Sequence, residues 1–193
     1  MLSMSLLLSL MNPVWANTWT VTSGGSIQGT IAASSSGDTI EVGSGTYVEC
    51  LDPNGKDIDI IGTGTVVING SSCTATITLD GNETFNVSNV QLKNTNGLVL
   101  SVGATATANL DGISVSGSGY SNQSQSSLGG VIYVEGMVQI ANSTFSANSG
   151  GLGGVIHADG GIVSISNTTF SSNSALNAGV LYARDGAFIT NEE

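Results

Sequence analysis

Three acidic residues late in the chain each stand directly before a glycine, and their spacing is the first sign of a possible chemical site. Glu135, Asp159 and Asp185 are separated by 24 and 26 residues, close to the length of a repeat described below. Carboxylate oxygens are ligands that Ca²⁺ prefers, so the three would form a calcium site if they met on one face. Charged turn residues are more often solvated, and this second interpretation is favoured.

His157 and Arg184 are the only histidine and arginine in the chain, so acid–base catalysis has few candidates. His157 occupies the same place in the repeat as Tyr133 and Tyr182. A planar side chain stacked between two others is therefore its first interpretation, ahead of a catalytic base. No catalytic residue is assigned from the sequence.

Asp57 and Asp59 alternate with the apolar residues Ile58 and Ile60, which predicts a strand with both carboxylates on its solvent face. Two carboxylates can flank a sugar in glycoside hydrolysis. A solvated strand face is far commoner and is preferred for these two residues.

Repeated segments in the second half of the chain are the strongest signal in the sequence. Gly-Gly-Val-Ile-Tyr at 129–133 recurs as Gly-Gly-Val-Ile-His at 153–157 and as Ala-Gly-Val-Leu-Tyr at 178–182. Ser-Thr-Phe-Ser-Ala-Asn at 143–148 recurs as Thr-Thr-Phe-Ser-Ser-Asn at 168–173. Short apolar runs between Gly, Asn and Ser turns indicate strands. A unit this short cannot bury its own apolar face, so successive units must stack.

Stacking places equivalent residues about 4.8 Å apart along the axis of such an array. Phe145 and Phe170 should then form an aromatic ladder. Asn148 and Asn173 should form an amide ladder that hydrogen-bonds the backbone of a turn. These conspicuous residues therefore have a structural explanation.

These features predict an all-β chain that folds as a right-handed parallel β-helix, a solenoid, over residues 17–193. Residues 19–21 and 39–42 should form the first strands, 43–47 a turn, and 26–33 a short helix that caps the N-terminal end of the core. Register places Phe188 one period after Val163, and no capping element follows it. The C-terminal end is therefore expected to be open or truncated.

Cys50 and Cys73 are the only cysteines, and their positions are 23 residues apart, which is close to one repeat. If one coil spans roughly two dozen residues, the pair lies on adjacent coils at nearly the same position. A disulfide would then join the first coils. Two free buried thiols are the alternative.

The charge balance excludes one class of partner. The chain has 14 acidic residues and three basic ones, Lys56, Lys93 and Arg184. Such a surface repels phosphates and anionic headgroups, so nucleic acid is not an expected partner. The 27 glycines and the 9% of charged residues also argue against a helical bundle.

Residues 1–16 have features of a signal peptide, with an apolar run at 2–11, Pro13 and a small-residue cleavage site that ends at Ala16. No later segment approaches the ~20 apolar residues that a membrane helix needs. We therefore expect a chain that is secreted, extracellular or at the cell surface, without a transmembrane segment after signal cleavage.

Six Asn-x-Ser/Thr sequons would be glycan acceptors in a eukaryote, although chance and the repeat also explain several of them: Asn69, Asn82, Asn86, Asn122, Asn142 and Asn167.

Paired motifs in the last third of the chain resemble the repeats of chlamydial-type polymorphic outer membrane proteins. They are Gly-Gly-x-Ile at 129–132 and 153–156, and Phe-x-x-Asn at 145–148 and 170–173. The opening segment, with Gly-Asp-Thr-Ile at 37–40 and Gly-Thr-Tyr at 45–47, is similar to that of pectate-lyase-like β-helix proteins. The repeat family implies a surface-exposed or secreted protein, which would be held at the outer membrane if a longer product carries a barrel.

The resemblance and the scarcity of catalytic residues favour a non-catalytic, adhesin-like or envelope structural module. Its partner would be a carbohydrate or a host or cell-surface protein, and it would need no cofactor. The alternative is a pectate-lyase-like carbohydrate-active enzyme that acts on acidic polysaccharide with calcium. No lyase or polygalacturonase motif matches residue by residue.

Overall fold

Strands dominate the computed structural model, which describes residues 16–120 and 130–192. Most of the expected signal segment, the sequon at Asn122 and the repeat residue Gly129 lie outside the described residues. The elements follow in this order: β1 Thr18–Val21, α1 Ile27–Ala33, β2 Asp38–Val42, β3 Gly45–Tyr47, β4 Ile58–Gly62, β5 Val66–Asn69, β6 Ala75–Leu79, β7 Thr84–Ser88, β8 Gln91–Lys93, β9 Leu98–Val102, β10 Thr107–Asp111, β11 Ser114–Ser116, β12 Ile132–Val134, β13 Met137–Ala141, β14 Thr144–Ser146, β15 Ser149–Gly150, β16 Ile156–Asp159, β17 Ile162–Ser166, β18 Thr169–Ser171, β19 Ser174–Ala175, β20 Leu181–Arg184 and β21 Phe188–Glu192.

These strands pair in parallel, each with its equivalents one coil earlier and one coil later. Sheet A has the order β1-β2-β4-β7-β10-β13-β17-β21, sheet B the order β18-β14-β11-β8-β5-β3, and sheet C the order β20-β16-β12-β9-β6. A short pair, β15-β19, adds to the last coils. Successive coils that contribute one strand to each of three parallel sheets define a parallel β-helix, so the predicted all-β solenoid is confirmed.

Alternation along each strand decides which side chains lie inside the solenoid. In β4, Ile58 and Ile60 are buried, whereas Asp59 between them points outward and is half-buried. Burial of each such apolar side chain contributes about 1.5–3 kcal/mol. Parallel register repeats the pattern along the axis, as in the inward column Ile60, Val87, Leu110 and Ile140.

Four turns from sheet A to sheet B, those that begin after β7, β10, β13 and β17, use a left-handed backbone. Asn89, Asn142 and Asn167 occupy this turn position with φ angles of 57°, 50° and 41°. Asparagine tolerates this conformation better than most residues, and Gly112 holds the same place with a φ of 61°. In these four coils the chain thus turns from sheet A to sheet B at the same position and with the same backbone conformation.

The helix α1 covers the N-terminal end of the core with the buried side chains of Ile27 and Ile31. Ser26 is the N-cap, and its hydroxyl accepts a hydrogen bond from the Gly29 amide at 2.8 Å. The predicted capping helix is present and begins one residue later than expected, because Ser26 itself is not helical.

Two charged side chains hold α1 on the following coil. The Glu49 carboxylate accepts hydrogen bonds from the amides of Ile27 and Gln28 at 3.0 and 2.9 Å. These are two of the donors that have no partner within a helix. At the other end, the Lys56 ammonium donates at 2.9 to 3.0 Å to three carbonyl oxygens, those of Ile31, Ala32 and Ser34.

Cys50 and Cys73, the predicted pair, form a disulfide with 5.8 Å between their Cα atoms. Cys50 lies directly after Glu49 and before Leu51, which makes a parallel bridge with Ile77. The disulfide therefore joins the segment on which α1 docks to the next coil.

Two expectations about local structure are wrong. The sequence predicts a turn over 43–47, but Gly45–Tyr47 is the strand β3, which pairs with β5. Phe188 pairs with Ile162 instead of Val163, so its side chain faces outward and is 61% exposed. The physical cause of the second difference lies in a turn described below.

Candidate functional site on sheet C

The outer face of sheet C carries a column of planar side chains. Tyr133, His157 and Tyr182 are in register on adjacent strands, as the sequence predicts. Neighbouring ring centroids are 5.2 and 5.4 Å apart with interplanar angles of 76° and 71°, so the rings meet edge to face instead of stacking. His157 is fully buried.

Two carboxylates converge on the hydroxyl of Tyr133. Its oxygen lies 3.0 Å from Glu135 Oε1 and 3.0 Å from Asp159 Oδ2. A phenol carries one proton and donates it to one of the two carboxylates at a time. The Arg184 guanidinium forms an ion pair with Asp159 and lies 3.4 Å from Asp185. We call Tyr133, Glu135, His157, Asp159 and Arg184 the sheet C cluster.

These contacts shift the titration of the cluster. The hydrogen bond from Arg184, followed by that from Tyr133, lowers the pKa of Asp159 to about 2, although partial burial opposes the shift. Burial, followed by the two neighbouring carboxylates, raises the pKa of Tyr133 well above its ordinary value. Burial, followed by the charge of Arg184, lowers the pKa of His157. Near neutral pH the cluster therefore holds an ionised Asp159 and a neutral Tyr133, and His157 is shifted toward its neutral form.

The column of three carboxylates, considered above as an alternative calcium site, is wrong in one of its members. Glu135 follows Val134 as Asp159 follows Ala158, so these two carboxylates are in register. The third position is held by Arg184, which pairs with Asp159, and Asp185 lies one residue further on in a turn. In the part of the chain that the structure describes, no group of three or more His, Cys, Asp or Glu residues is placed to hold a metal ion.

One turn explains both the displaced Asp185 and the displaced Phe188. Sheet C continues into sheet A from Val134 to Met137 over 3 positions, from Ala158 to Ile162 over 4, and from Ala183 to Phe188 over 5. The three starting residues are in register with one another on sheet C: Val134, Ala158 and Ala183. The three end residues are in register on sheet A: Met137, Ile162 and Phe188. Over these last three coils the turn therefore lengthens by one residue per coil. A fixed repeat length projected from the sequence cannot show where such an extra residue falls.

The two predicted ladders lie on sheet B and in the turn beyond it. The rings of Phe145 and Phe170 are stacked, with centroids 5.4 Å apart and 13° between their planes. The Asn148 amide nitrogen donates to Asn173 Oδ1 and to the carbonyl of Val115, each at 3.1 Å. Its oxygen accepts from the Ser118 amide at 2.9 Å. These residues hold coils together, as expected of structural ladders.

Amide columns, which the sequence pattern did not predict, also line the outer face of sheet A. Asn109 donates to Asn86 at 2.7 Å, and Asn86 donates to Asp59. A second column runs through the turns, where Asn167 donates to Asn142 and Asn142 to Asp111, both at 2.7 Å. Asp59 faces outward as predicted. Asp57 accepts a hydrogen bond from the Thr84 amide, so the two carboxylates do not form a pair around a sugar site.

Comparisons with known proteins add no relative: no protein-family model matches the chain, and neither the curated proteins nor the solved structures contain a match. The fold and the sheet C cluster thus define a parallel β-helix protein whose role must be argued from its own residues. Within residues 16–120 and 130–192, no helix has the length and apolarity needed to cross a bilayer.

Proposed function

We propose that this chain is a non-catalytic β-helix, secreted or displayed at the cell surface, that serves adhesion or envelope structure by binding an extended partner. The observation that carries the proposal is that the polar groups of the sheet C cluster bind one another. Arg184 neutralises Asp159, Tyr133 bridges the two carboxylates, and His157 is buried. A cluster satisfied in this way stabilises a face rather than presenting reactive groups.

The repeated columns favour the binding role. Parallel coils present equivalent side chains at about 4.8 Å intervals along a rigid axis. A long polymer or a repetitive surface can meet such a face at several points at once, so weak contacts add up. The resemblance to polymorphic outer membrane protein repeats points to the same role.

Location outside the cell is part of the proposal. Disulfides such as Cys50–Cys73 persist mainly in oxidising compartments. The signal-like segment at 1–16 agrees with this location. Detection of the chain in the medium or on intact cells, with Asn17 as its first residue, is the expected result.

A carbohydrate-active enzyme is the second candidate, because Glu135 and Asp159 both contact one hydroxyl and therefore lie close together. Paired carboxylates of this kind occur in glycoside hydrolases. The general acid of such a pair needs a raised pKa, whereas the pKa of Asp159 is lowered to about 2. Asp159 is therefore not that general acid, and its carboxylate is already held by Arg184 and Tyr133, which places the enzyme second.

The test combines turnover and adhesion on one preparation. Purified chain is incubated with acidic and neutral polysaccharides, with and without calcium, and new reducing ends and unsaturated products are measured. In parallel, beads coated with the chain are tested for attachment to cell walls and cell surfaces. Attachment without turnover is expected. Turnover that is lost in Glu135→Gln and Asp159→Asn, but not in Asp57→Asn, would replace the proposal with the enzyme.

A further inference from the structure

An open groove on the outer face of sheet A has no role in the core or in the sheet C cluster. Its volume is about 270 Å³. Ala141 and Ser166 are small and stand in register with Asp111, which leaves space between the two amide columns. The side chains that line this sheet A groove are Asn109, Asp111, Gln139, Ala141, Ser164 and Ser166.

Asn109 contributes an acceptor that its own column leaves unused. Its amide nitrogen donates to Asn86, but its Oδ1 is buried and accepts no hydrogen bond from the described residues. A buried acceptor in this state is unfavourable. The next side chain of the column, Gln139, is exposed and directs its amide nitrogen to Met137 Sδ at 3.8 Å. A ligand hydroxyl that entered the groove and displaced the Gln139 side chain would donate a hydrogen bond to Asn109 Oδ1.

The charges around the groove disfavour an acidic ligand. Asp111 lines it, and the formal net charge of the chain is −11. Two of the three basic side chains are engaged elsewhere, Lys56 by carbonyl oxygens and Arg184 by Asp159. The third, Lys93, belongs to sheet B. A ligand rich in carboxylates would meet repulsion without a compensating cation.

We propose that the sheet A groove binds a neutral, hydroxyl-rich polysaccharide, an assignment that rests on the proposed polymer-binding function. The amide of Gln139 and the hydroxyls of Ser164 and Ser166 supply both donors and acceptors. Side chains repeat at about the 4.8 Å strand spacing, which is close to the length of one sugar in an extended chain. The neighbouring outward column adds exposed apolar side chains, Ile162 and Phe188, against which the C–H face of a sugar can pack.

Two groove variants and one matched control test the assignment. Ala141→Tyr fills the groove, and Ser164→Val removes a hydroxyl without a large change in volume. Thr144→Tyr places the same aromatic ring on an exposed strand position of sheet B. The probes are hexasaccharides from cellulose, xylan, mannan and laminarin, with hexagalacturonate as the acidic comparison. Calorimetry measures affinity, and circular dichroism verifies that each variant is folded.

We expect at least one neutral hexasaccharide to bind, with an affinity that depends little on salt concentration. Hexagalacturonate is not expected to bind. Ala141→Tyr should weaken that affinity at least about tenfold and Ser164→Val by a smaller factor, while Thr144→Tyr leaves it unchanged. Failure of all neutral probes, or equal affinity in Ala141→Tyr, overturns the groove assignment. Attachment of coated beads would then still support the proposed function. Conversely, groove binding together with carboxylate-dependent turnover would overturn that function and leave the groove standing.

Discussion

Asn148 makes three side-chain hydrogen bonds between the last coils. It is fully buried. Its oxygen accepts from the Ser118 amide and its nitrogen donates to the Val115 carbonyl, both on the preceding coil, and the nitrogen also donates to Asn173 on the following coil. Side chains of this kind supply hydrogen bonds where a turn interrupts the regular pairing of strands. The Phe-x-x-Asn motif therefore marks a turn where an asparagine side chain supplies hydrogen bonds to the backbone of the neighbouring coil.

Asn148→Ala should lower the free energy of unfolding by about 2–4 kcal/mol, because it leaves at least two buried backbone groups without partners. Urea unfolding followed by circular dichroism measures the change. The matched control is Asn167→Gly, which removes an exposed ladder amide but keeps a residue suited to positive φ. We expect the control to stay within about 0.5 kcal/mol of the parent chain, and a comparable loss in both variants would contradict the assigned role of Asn148.

The free energy of unfolding should depend on pH through His157, between the ordinary histidine pKa of about 6.5 and the lower pKa that His157 has in the folded chain. Its pKa is lowered in the fold, so protons bind more readily to the unfolded chain, and the free energy of unfolding falls as the pH falls below about 6.5. His157→Phe should flatten this part of the pH profile relative to the parent. Parallel profiles for the two proteins would count against the burial of His157.

Asp159 acts in a separate, more acidic range. Its pKa of about 2 in the fold lies below the ordinary value of about 3.9, so its contribution to stability is present above pH 4 and is lost as the pH falls toward 2. The window of His157 and that of Asp159 can therefore be distinguished in one acid titration.

The helix α1 and the Cys50–Cys73 disulfide form one connected element at the N-terminal end. Glu49, which binds the first amides of the helix, is the residue next to Cys50. The disulfide thus limits the motion of the segment that holds the cap over Ile27 and Ile31.

Replacement of both cysteines in Cys50→Ser/Cys73→Ser should lower the free energy of unfolding by about 3 kcal/mol, the loss expected for a closed loop of this size. Hydrogen exchange should show α1 losing protection before the central strands do. Reductant should have the same effect on the parent chain and none on the double variant. Equal protection of α1 with and without the disulfide would refute the connection.

Some elements of this fold can be predicted from local sequence patterns, whereas others form only through pairing between distant strands. The strands, the capping helix and the disulfide follow from local patterns, such as alternation in β4 and the spacing of two cysteines. Strand β3 was missed because its Gly-Thr-Tyr sequence has the composition of a turn and becomes a strand only by pairing with β5. The placement of Arg184 instead of Asp185 beside Asp159 depends on a turn whose length differs between coils, and that difference shows only once the strands are paired.

At the scale of the whole molecule, the last coils are built as equivalent units. Asn142 and Asn167 hold the same turn position with the same backbone conformation, and 25 residues separate them. Each coil contacts mainly its two neighbours, so stability is close to a sum over adjacent pairs.

Deletion of residues 142–166 should therefore give a folded, shorter solenoid in which Asn167 follows Ala141. Because β13 would then pair with β21, inward side chains remain inward. Far-ultraviolet circular dichroism should keep its β signature, and thermal unfolding should stay cooperative at a lower midpoint. Deletion of 142–153, about half a coil, should abolish cooperative unfolding because it destroys the register. Similar behaviour of the two deletions would rule out a modular solenoid.

The amide columns on sheet A give the solenoid an electrical direction. Asp59 and Asp111 can only accept hydrogen bonds, so the first amide of each column must point its nitrogen toward the carboxylate, and the second amide, that of Asn109 or Asn167, follows the same orientation. Each column is thus a stack of aligned dipoles with its positive end on a carboxylate, comparable to an α-helix whose first turn holds an acidic residue. One carboxylate at the start of a column therefore fixes the polarity of a surface that extends over several coils.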